Sequence, residues 1–145
     1  MAVLEATGEK TFDIHNEWSE VMGSEVCDRP VFVQRAHDDV IVLSLPMFNN
    51  LFSSLKFYVS LFTESDGSVT GVVDGLDLVE NAETKEGCIA ALLAAMRDYA
   101  QDFYNDFKFW ASASNRKDHI PYVLKILSGS DAQLREDIIC RDGRI

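Results

Sequence analysis

Two short apolar runs rich in β-branched residues, Val31–Gln34 and Val40–Leu43, stand either side of a polar tip, Arg35-Ala36-His37-Asp38-Asp39. That pattern predicts a β-hairpin with four or five residues in its loop. Ser44 follows as an N-cap, and Pro46 falls in the first turn of the next element, where a missing N–H costs nothing. Leu45, Phe48, Leu51, Phe52 and Leu55 then recur at helical spacing, so a short amphipathic helix closes this stretch.

Upstream, Thr11–Ile14 fits an edge strand. His15–Cys27 fits a helix with Trp18, Val21, Met22 and Val26 on one face, stopped by Asp28-Arg29-Pro30. Trp18 is expected in the core against the hairpin. Downstream, Lys56–Glu64 alternates as a strand, Ser65-Asp66-Gly67-Ser68 turns the chain, and Val69–Val73 returns. Gly71 inside that strand points to a bulge or to a close approach by another backbone. Leu78–Glu80 fits a third strand.

The longest element is a helix predicted from about Glu83 to Trp110, with an apolar stripe through Ile89, Leu92, Leu93, Met96, Ala100, Phe103, Phe107 and Trp110. Such a helix would be about 40 Å long, more than the small sheet before it can cover. Its distal aromatics are therefore expected to be buried by the C-terminal helices or by a second copy of the chain. Ala111–Lys117 is a small-polar connector. Asp118 is placed to cap a helix over His119–Ser128, with Ile120, Val123, Ile126 and Leu127 on its apolar face. Asp131 is placed to cap a last helix with Leu134, Ile138 and Ile139 facing inward, and Arg141–Ile145 to fray. The expected fold class is α+β: small antiparallel sheets with flanking helices, one long helix at about 83–110 and a helical C-terminal segment. Residues 1–55 form one expected module and residues 56–145 a second.

The order "PVFVQR", polar tip, "VIVLSL", helix opening "PMFNNL" resembles the N-terminal module of Phd/YefM-type (RelB-like) antitoxins, with Ser44, Leu45 and Phe48 matching its serine, leucine and aromatic. This resemblance covers about a third of the chain. Three strands followed by "ENAETKEGCIAAL" also resemble the partly degenerate RNase-H-like unit of HicB-type antitoxins. Ala82, Thr84 and Glu86 keep part of that pattern, whereas its glycine and proline-glycine turn are absent. The Phd/YefM resemblance implies a cytoplasmic homodimer that neutralises a small basic toxin, RelE-like, and represses its own operon. It places DNA contacts at Lys10, Thr11, His15 and Asn16, with Arg35 on the hairpin.

Charge changes that picture. The chain carries a net −11, and residues 1–54 hold three basic groups against nine acidic. Phosphate neutralisation needs clustered Lys and Arg, so binding of operator DNA is expected to be weak or absent. An acidic surface covering a cationic toxin fits the charge better. Antitoxins of this type usually carry a disordered toxin-binding tail, but here the extension is apolar and helix-patterned. Toxin contact is therefore expected on preformed surface, at Phe107, Phe109, Trp110, Arg116 and Tyr122. The alternative is an acidic dimeric adaptor or inhibitor without a cognate toxin.

No enzyme chemistry emerges from the motifs. G-x-S-x-G, G-x-x-x-x-G-K-[ST] and G-x-G-x-x-G are absent, and no histidine has a partner four residues on. The acidic pairs Asp38-Asp39 and Asp74/Asp77 fall in predicted turns, where carboxylates are ordinarily solvated. Three separated cysteines, Cys27, Cys88 and Cys140, fit reduced thiols and neither a disulfide framework nor a zinc site. Cys88 is expected as a small apolar filler. No cofactor or metal is expected, no signal peptide is visible, and no apolar run is long enough to span a membrane.

Overall fold

The computed structural model describes residues 29–35 and 37–143, with no side-chain description at 34–36. The predicted strand at Thr11–Ile14, the predicted helix His15–Cys27 with Trp18, and Lys10, Thr11, His15 and Asn16 lie outside the described residues. The chain divides into two compact units, residues 1–51 and 52–145.

In the first unit, β1 (Val31–Arg35) pairs antiparallel with β2 (Asp38–Val42). Arg35 lies opposite Asp38, so only positions 36 and 37 separate the strands and the loop is shorter than predicted. Period-2 alternation buries Val31 and Val33. Ser44 caps α1 (Leu45–Leu51): its hydroxyl accepts from the Met47 N–H at 3.3 Å and its carbonyl from the Phe48 N–H at 3.0 Å. The predicted stripe is truncated, because Phe52 and Leu55 fall beyond the helix. No residue of α1 is fully buried, and Leu45 and Leu51 are exposed.

The second unit is a four-stranded sheet backed by helices on one face. Its strands are β3 (Phe57–Thr63), β4 (Val69–Val73), β5 (Leu78–Ala82) and β6 (Ile138–Asp142), in the order β5-β4-β3-β6. The first three form an antiparallel meander, and β6 joins the edge parallel to β3. The β3–β4 turn is built by Asp66, whose carboxylate accepts the Ser68 N–H at 2.9 Å, and by Gly67 at φ +87. Gly71 keeps regular pairing with Leu61 and Glu80, so there is no bulge. The close approach comes from side chains: a Cβ there would lie 2.7 Å from Leu92 Cδ1 and 2.8 Å from Cys88 Sγ.

Those two side chains belong to α2 (Lys85–Asn105). Thr84 caps it, its hydroxyl accepting the Gly87 N–H at 3.0 Å. Cys88, Ile89, Leu92, Met96, Ala100 and Phe103 form its buried stripe. All but Ile89 meet Phe57, Val59 and Val73 of the sheet, Leu76 of the β4–β5 turn, Val123 and Ile126 of α4 (Ile120–Ser128) and Leu134 of α5 (Asp131–Glu136). Each large side chain in this core contributes on the order of 2 kcal/mol relative to exposure. Cys88 is such a filler, and burial pushes its thiol pKa up.

Three helical expectations are corrected. The long helix is not continuous to Trp110: Asp106 adopts φ −130, ψ 51 and separates α2 from α3 (Phe107–Ser112). The bend lets Trp110 fold back onto Phe103 and Tyr99 instead of running past the sheet. The last helix stops at Glu136, capped by Ser130 and Gln133 in a reciprocal box and not by Asp131. Ile138 and Ile139 are strand residues of β6, as are Arg141 and Asp142 of the supposedly frayed tail. Asp118 does not cap α4 either, since it sits inside the 3-10 turn Lys117–His119.

Two polar clusters lock these helices. Arg97 of α2 donates to the carbonyls of Ile126 and Gly129 and pairs with Asp131 at 2.7 Å, holding the α4–α5 corner. Lys125, nearly buried, donates to the carbonyls of Phe52 (3.0 Å) and Leu55 and pairs with Asp137 at 3.0 Å. Lys56 pairs with the same carboxylate. Burial pushes the Asp137 carboxyl up, but the two lysines outweigh it and hold its pKa below the ordinary carboxylate value.

Candidate functional site

The C-terminal end of α2 and the reversed α3 gather the aromatics that the stripe placed there. Trp110 stacks on Phe103, with centroids 6.0 Å apart at 24°, and meets Tyr99 edge-on at 6.1 Å. Phe107 packs against Phe103 at 5.4 Å, and Phe109 packs edge-on against Trp110 at 5.9 Å. The Arg116 guanidinium carbon lies 5.7 Å from the ring centroids of both Tyr99 and Trp110. Arg116 also donates to the Tyr99 hydroxyl at 3.4 Å.

Behind this layer the Tyr99 hydroxyl meets His119 Nδ1 at 2.6 Å. Burial, with the Arg116 cation second, lowers the His119 pKa and keeps the ring neutral. The Tyr99 hydroxyl and His119 Nδ1 share one proton in this contact, and the same hydroxyl accepts from Arg116, so the tyrosine joins the two side chains. The 3-10 turn makes this possible. His119 N–H donates to the Arg116 carbonyl at 2.9 Å, which sets the two side chains one tight turn apart.

Four predicted partner-binding residues, Phe107, Phe109, Trp110 and Arg116, thus share one surface. Tyr122 does not join them, since it packs on Phe57 at 5.7 Å beside the sheet. Within the four, roles divide. Trp110 is half-buried and packs against the core, whereas Phe109 is 64% exposed. Tyr104 of α2, one of the distal aromatics expected to be buried, is like Phe109 exposed instead, at 59%, because it lies off the buried stripe. Of Arg35, the structure places the backbone at the end of β1.

The outer side of α2 is acidic. Asp98 and Asp102, four residues apart, are exposed, and exposed Asp106 follows at the helix end. The last turn of α2 holds no basic residue. Like charges at that spacing repel, and carboxylates near a helix C-terminus oppose its dipole. Among the described residues no ion pair engages these three groups. No three His, Cys, Asp or Glu side chains among them converge on a metal-sized site. No helix of the described residues is long and apolar enough to cross a membrane.

A model of the family described as antitoxin of toxin-antitoxin, RelE / RelB, TA system, matches residues 7–140. The chain belongs to this antitoxin family. A crystal structure at 1.80 Å of a protein from Syntrophomonas wolfei subsp. wolfei, described as the antitoxin part of a proposed toxin/antitoxin system, superposes with a TM-score of 0.83 at 34% identity. The match covers 90% of this antitoxin and 95% of that chain. No curated protein sequence matches. With an antitoxin's role comes a cognate toxin, and the aromatic end of α2 and α3 is a surface with the makings of a contact site. Its exposed rings rest on a bonded, half-buried support.

Proposed function

We propose that this antitoxin neutralises a small basic toxin, RelE-like, by covering it with the aromatic edge of α2 and α3. The observation that carries the reading is that exposed Tyr104, Phe107 and Phe109 fall in the same stretch of α2 and α3 as exposed Asp98, Asp102 and Asp106, which no ion pair among the described residues engages. Exposed aromatic rings supply contact area at low entropic cost, and the ridge steers a cationic partner. Trp110 and Arg116 act as the support of that edge, and Tyr122 as a packing residue behind it. The surface is preformed, so binding forgoes the ordering cost of a disordered tail.

On this reading the antitoxin is a binding protein and not an enzyme, and it works in the cytoplasm. Residues 1–55 act as a Phd/YefM-like module and residues 56–145 as a second unit with a HicB-like sheet-and-helix arrangement. Homodimerisation and autorepression follow from the same kinship. The operator contacts would be Lys10, Thr11, His15, Asn16 and Arg35, a basic set thin enough to leave DNA binding weak.

The test is co-expression of the tagged antitoxin with its neighbouring genes, purification, and intact mass spectrometry. A stoichiometric basic partner is expected, and Phe109→Ala with Phe107→Ala should weaken its binding by roughly 10–100-fold with circular dichroism unchanged. Recovery of the antitoxin without a partner, or a partner indifferent to both substitutions, overturns the reading.

A further inference from the structure

The helix α3 is short, has no fully buried residue and carries no side-chain cap at its start. What returns it to α2 is an aromatic shelf, Trp110 on Phe103 and Tyr99, whose polar end is formed by Tyr99, Arg116 and His119. We propose that these three polar side chains are an acid-sensitive latch: a proton taken up by His119 drives Arg116 off the Tyr99 hydroxyl and frees α3, with Trp110, from the end of α2.

The geometry defines both states of the latch. With His119 neutral, one hydroxyl serves two neighbours: it shares a proton with Nδ1 at 2.6 Å and accepts from Arg116 at 3.4 Å. The guanidinium carbon then stands 5.7 Å from the Tyr99 and Trp110 ring centroids. A protonated His119 has no acceptor nitrogen, so two cations contend for the one hydroxyl and repel each other. Arg116 is the one to leave. His119 is buried, and its backbone N–H is held by the Arg116 carbonyl at 2.9 Å. Among the described residues no carboxylate pairs with Arg116. With the guanidinium goes the cation over the Trp110 ring.

The surroundings decide the direction of the switch. Burial and then Arg116 oppose a charge on the ring, whereas Asp77 of the β4–β5 turn and Asp118 of the 3-10 turn favour one. Lys117 of that turn and Lys108 of α3 are exposed, and Lys125 of α4 is bound to Asp137. The ring is therefore neutral and the latch closed at neutral pH. It opens as pH falls through a value below the ordinary 6.5. Once Arg116 has gone, the two aspartates still favour the charged ring, so acid loosens α3 without unfolding the unit. The inference rests on contacts within the second unit and not on the toxin reading.

The experiment uses the full chain with Trp18→Phe, so that Trp110 is the single indole. Trp110 emission, its quenching by acrylamide and the His119 imidazole resonance are followed from about pH 7.5 to about pH 5, with far-UV circular dichroism as the control. Emission should move to the red and quenching should rise in one transition, with the midpoint of the His119 titration and below 6.5. His119→Gln keeps a partner for the Tyr99 hydroxyl but takes up no proton, so it should hold the neutral-pH signal throughout. Arg116→Met should show the loosened Trp110 signal at every pH and move the His119 midpoint up, a shift that lost packing alone does not produce. If His119→Gln does not fold, Tyr99→Phe replaces it and must likewise remove the transition. A Trp110 signal that ignores the His119 titration, a transition that survives His119→Gln or its replacement, an unmoved His119 midpoint in Arg116→Met, or loss of the far-UV signal over the same pH range overturns the proposal.

Discussion

Lys125→Met removes the cation at the centre of the second unit while keeping much of its volume. Lys125 donates to the Phe52 and Leu55 carbonyls and pairs with Asp137. Breaking a buried pair commonly costs about 3–5 kcal/mol, chiefly because the surviving charge is stranded. Here Asp137 keeps Lys56, so that part is softened. The two carbonyls lose a charged donor, at about 1–3 kcal/mol for each that stays dry. The expected loss is about 3 kcal/mol. Urea unfolding followed by Trp110 fluorescence in a Trp18→Phe background confines the signal to the unit of residues 52–145. With a slope near 1.5 kcal/mol per molar, the midpoint should fall by about 2 M.

The pH dependence supplies a second check. Asp137 titrates below its ordinary value near 3.8, so its contribution is fully present above that pH and is lost as pH falls through the folded-state value. Lys125→Met should shrink this acid-induced loss, since one of the two cations holding the carboxylate is gone. A midpoint change under about 0.5 M, within what a neutral surface substitution produces, would refute the argument that the lysine holds the 52–55 backbone.

Further outcomes follow from the same packing. Gly71→Ala should destabilise by about 1–3 kcal/mol in the same urea assay, because its methyl would collide with Leu92 and Cys88; an unchanged midpoint would mean that α2 can lift off β4 freely. His119 titrates below its ordinary value near 6.5, so its contribution is complete above that pH and declines as pH falls towards the lowered folded value. His119→Gln should flatten the stability profile over that window, and an identical slope in both proteins would contradict the buried neutral ring. Asp98→Asn with Asp102→Asn should stabilise the chain by about 1 kcal/mol in thermal unfolding while weakening toxin capture. Loss of stability instead would show that these carboxylates serve the fold.

Much of the sheet was legible because its strands obey period 2 and its turns carry the required residues. Val31, Val33, Phe57 and Val59 alternate inward, and Asp66-Gly67 supplies the side-chain acceptor and the positive φ that the turn needs. The break at Asp106 was hidden for a physical reason. Phe103, Phe107 and Trp110 keep helical spacing, but Trp110 meets Phe103 and Tyr99 by folding back and not along one straight face. The strand β6 was hidden because Ile138-Ile139-Cys140 is too short to distinguish a strand from a helix end. Its strand character comes from pairing with β3, some eighty residues earlier in the chain. The support of the candidate site was out of reach for a related reason: Tyr99, Arg116 and His119 are joined by hydrogen bonds across the α3 reversal that no local pattern encodes.

The allocation of charge links stability to recognition. Lys56 and Lys125 are spent on Asp137, Arg97 on the α4–α5 corner and Arg135 on Glu86. Arg116 and Arg141 lie over aromatic rings. Basic groups tied into the fold in this way are not available to neutralise the ridge at Asp98, Asp102 and Asp106. Asp102 and Asp106 oppose the dipole at the end of their own helix, and Asp98 and Asp102 repel each other, so folding alone would not favour the ridge there. A cationic partner would reverse the sign of that cost, because the carboxylates that destabilise α2 in isolation would gain opposite charges if the proposed toxin contact forms there.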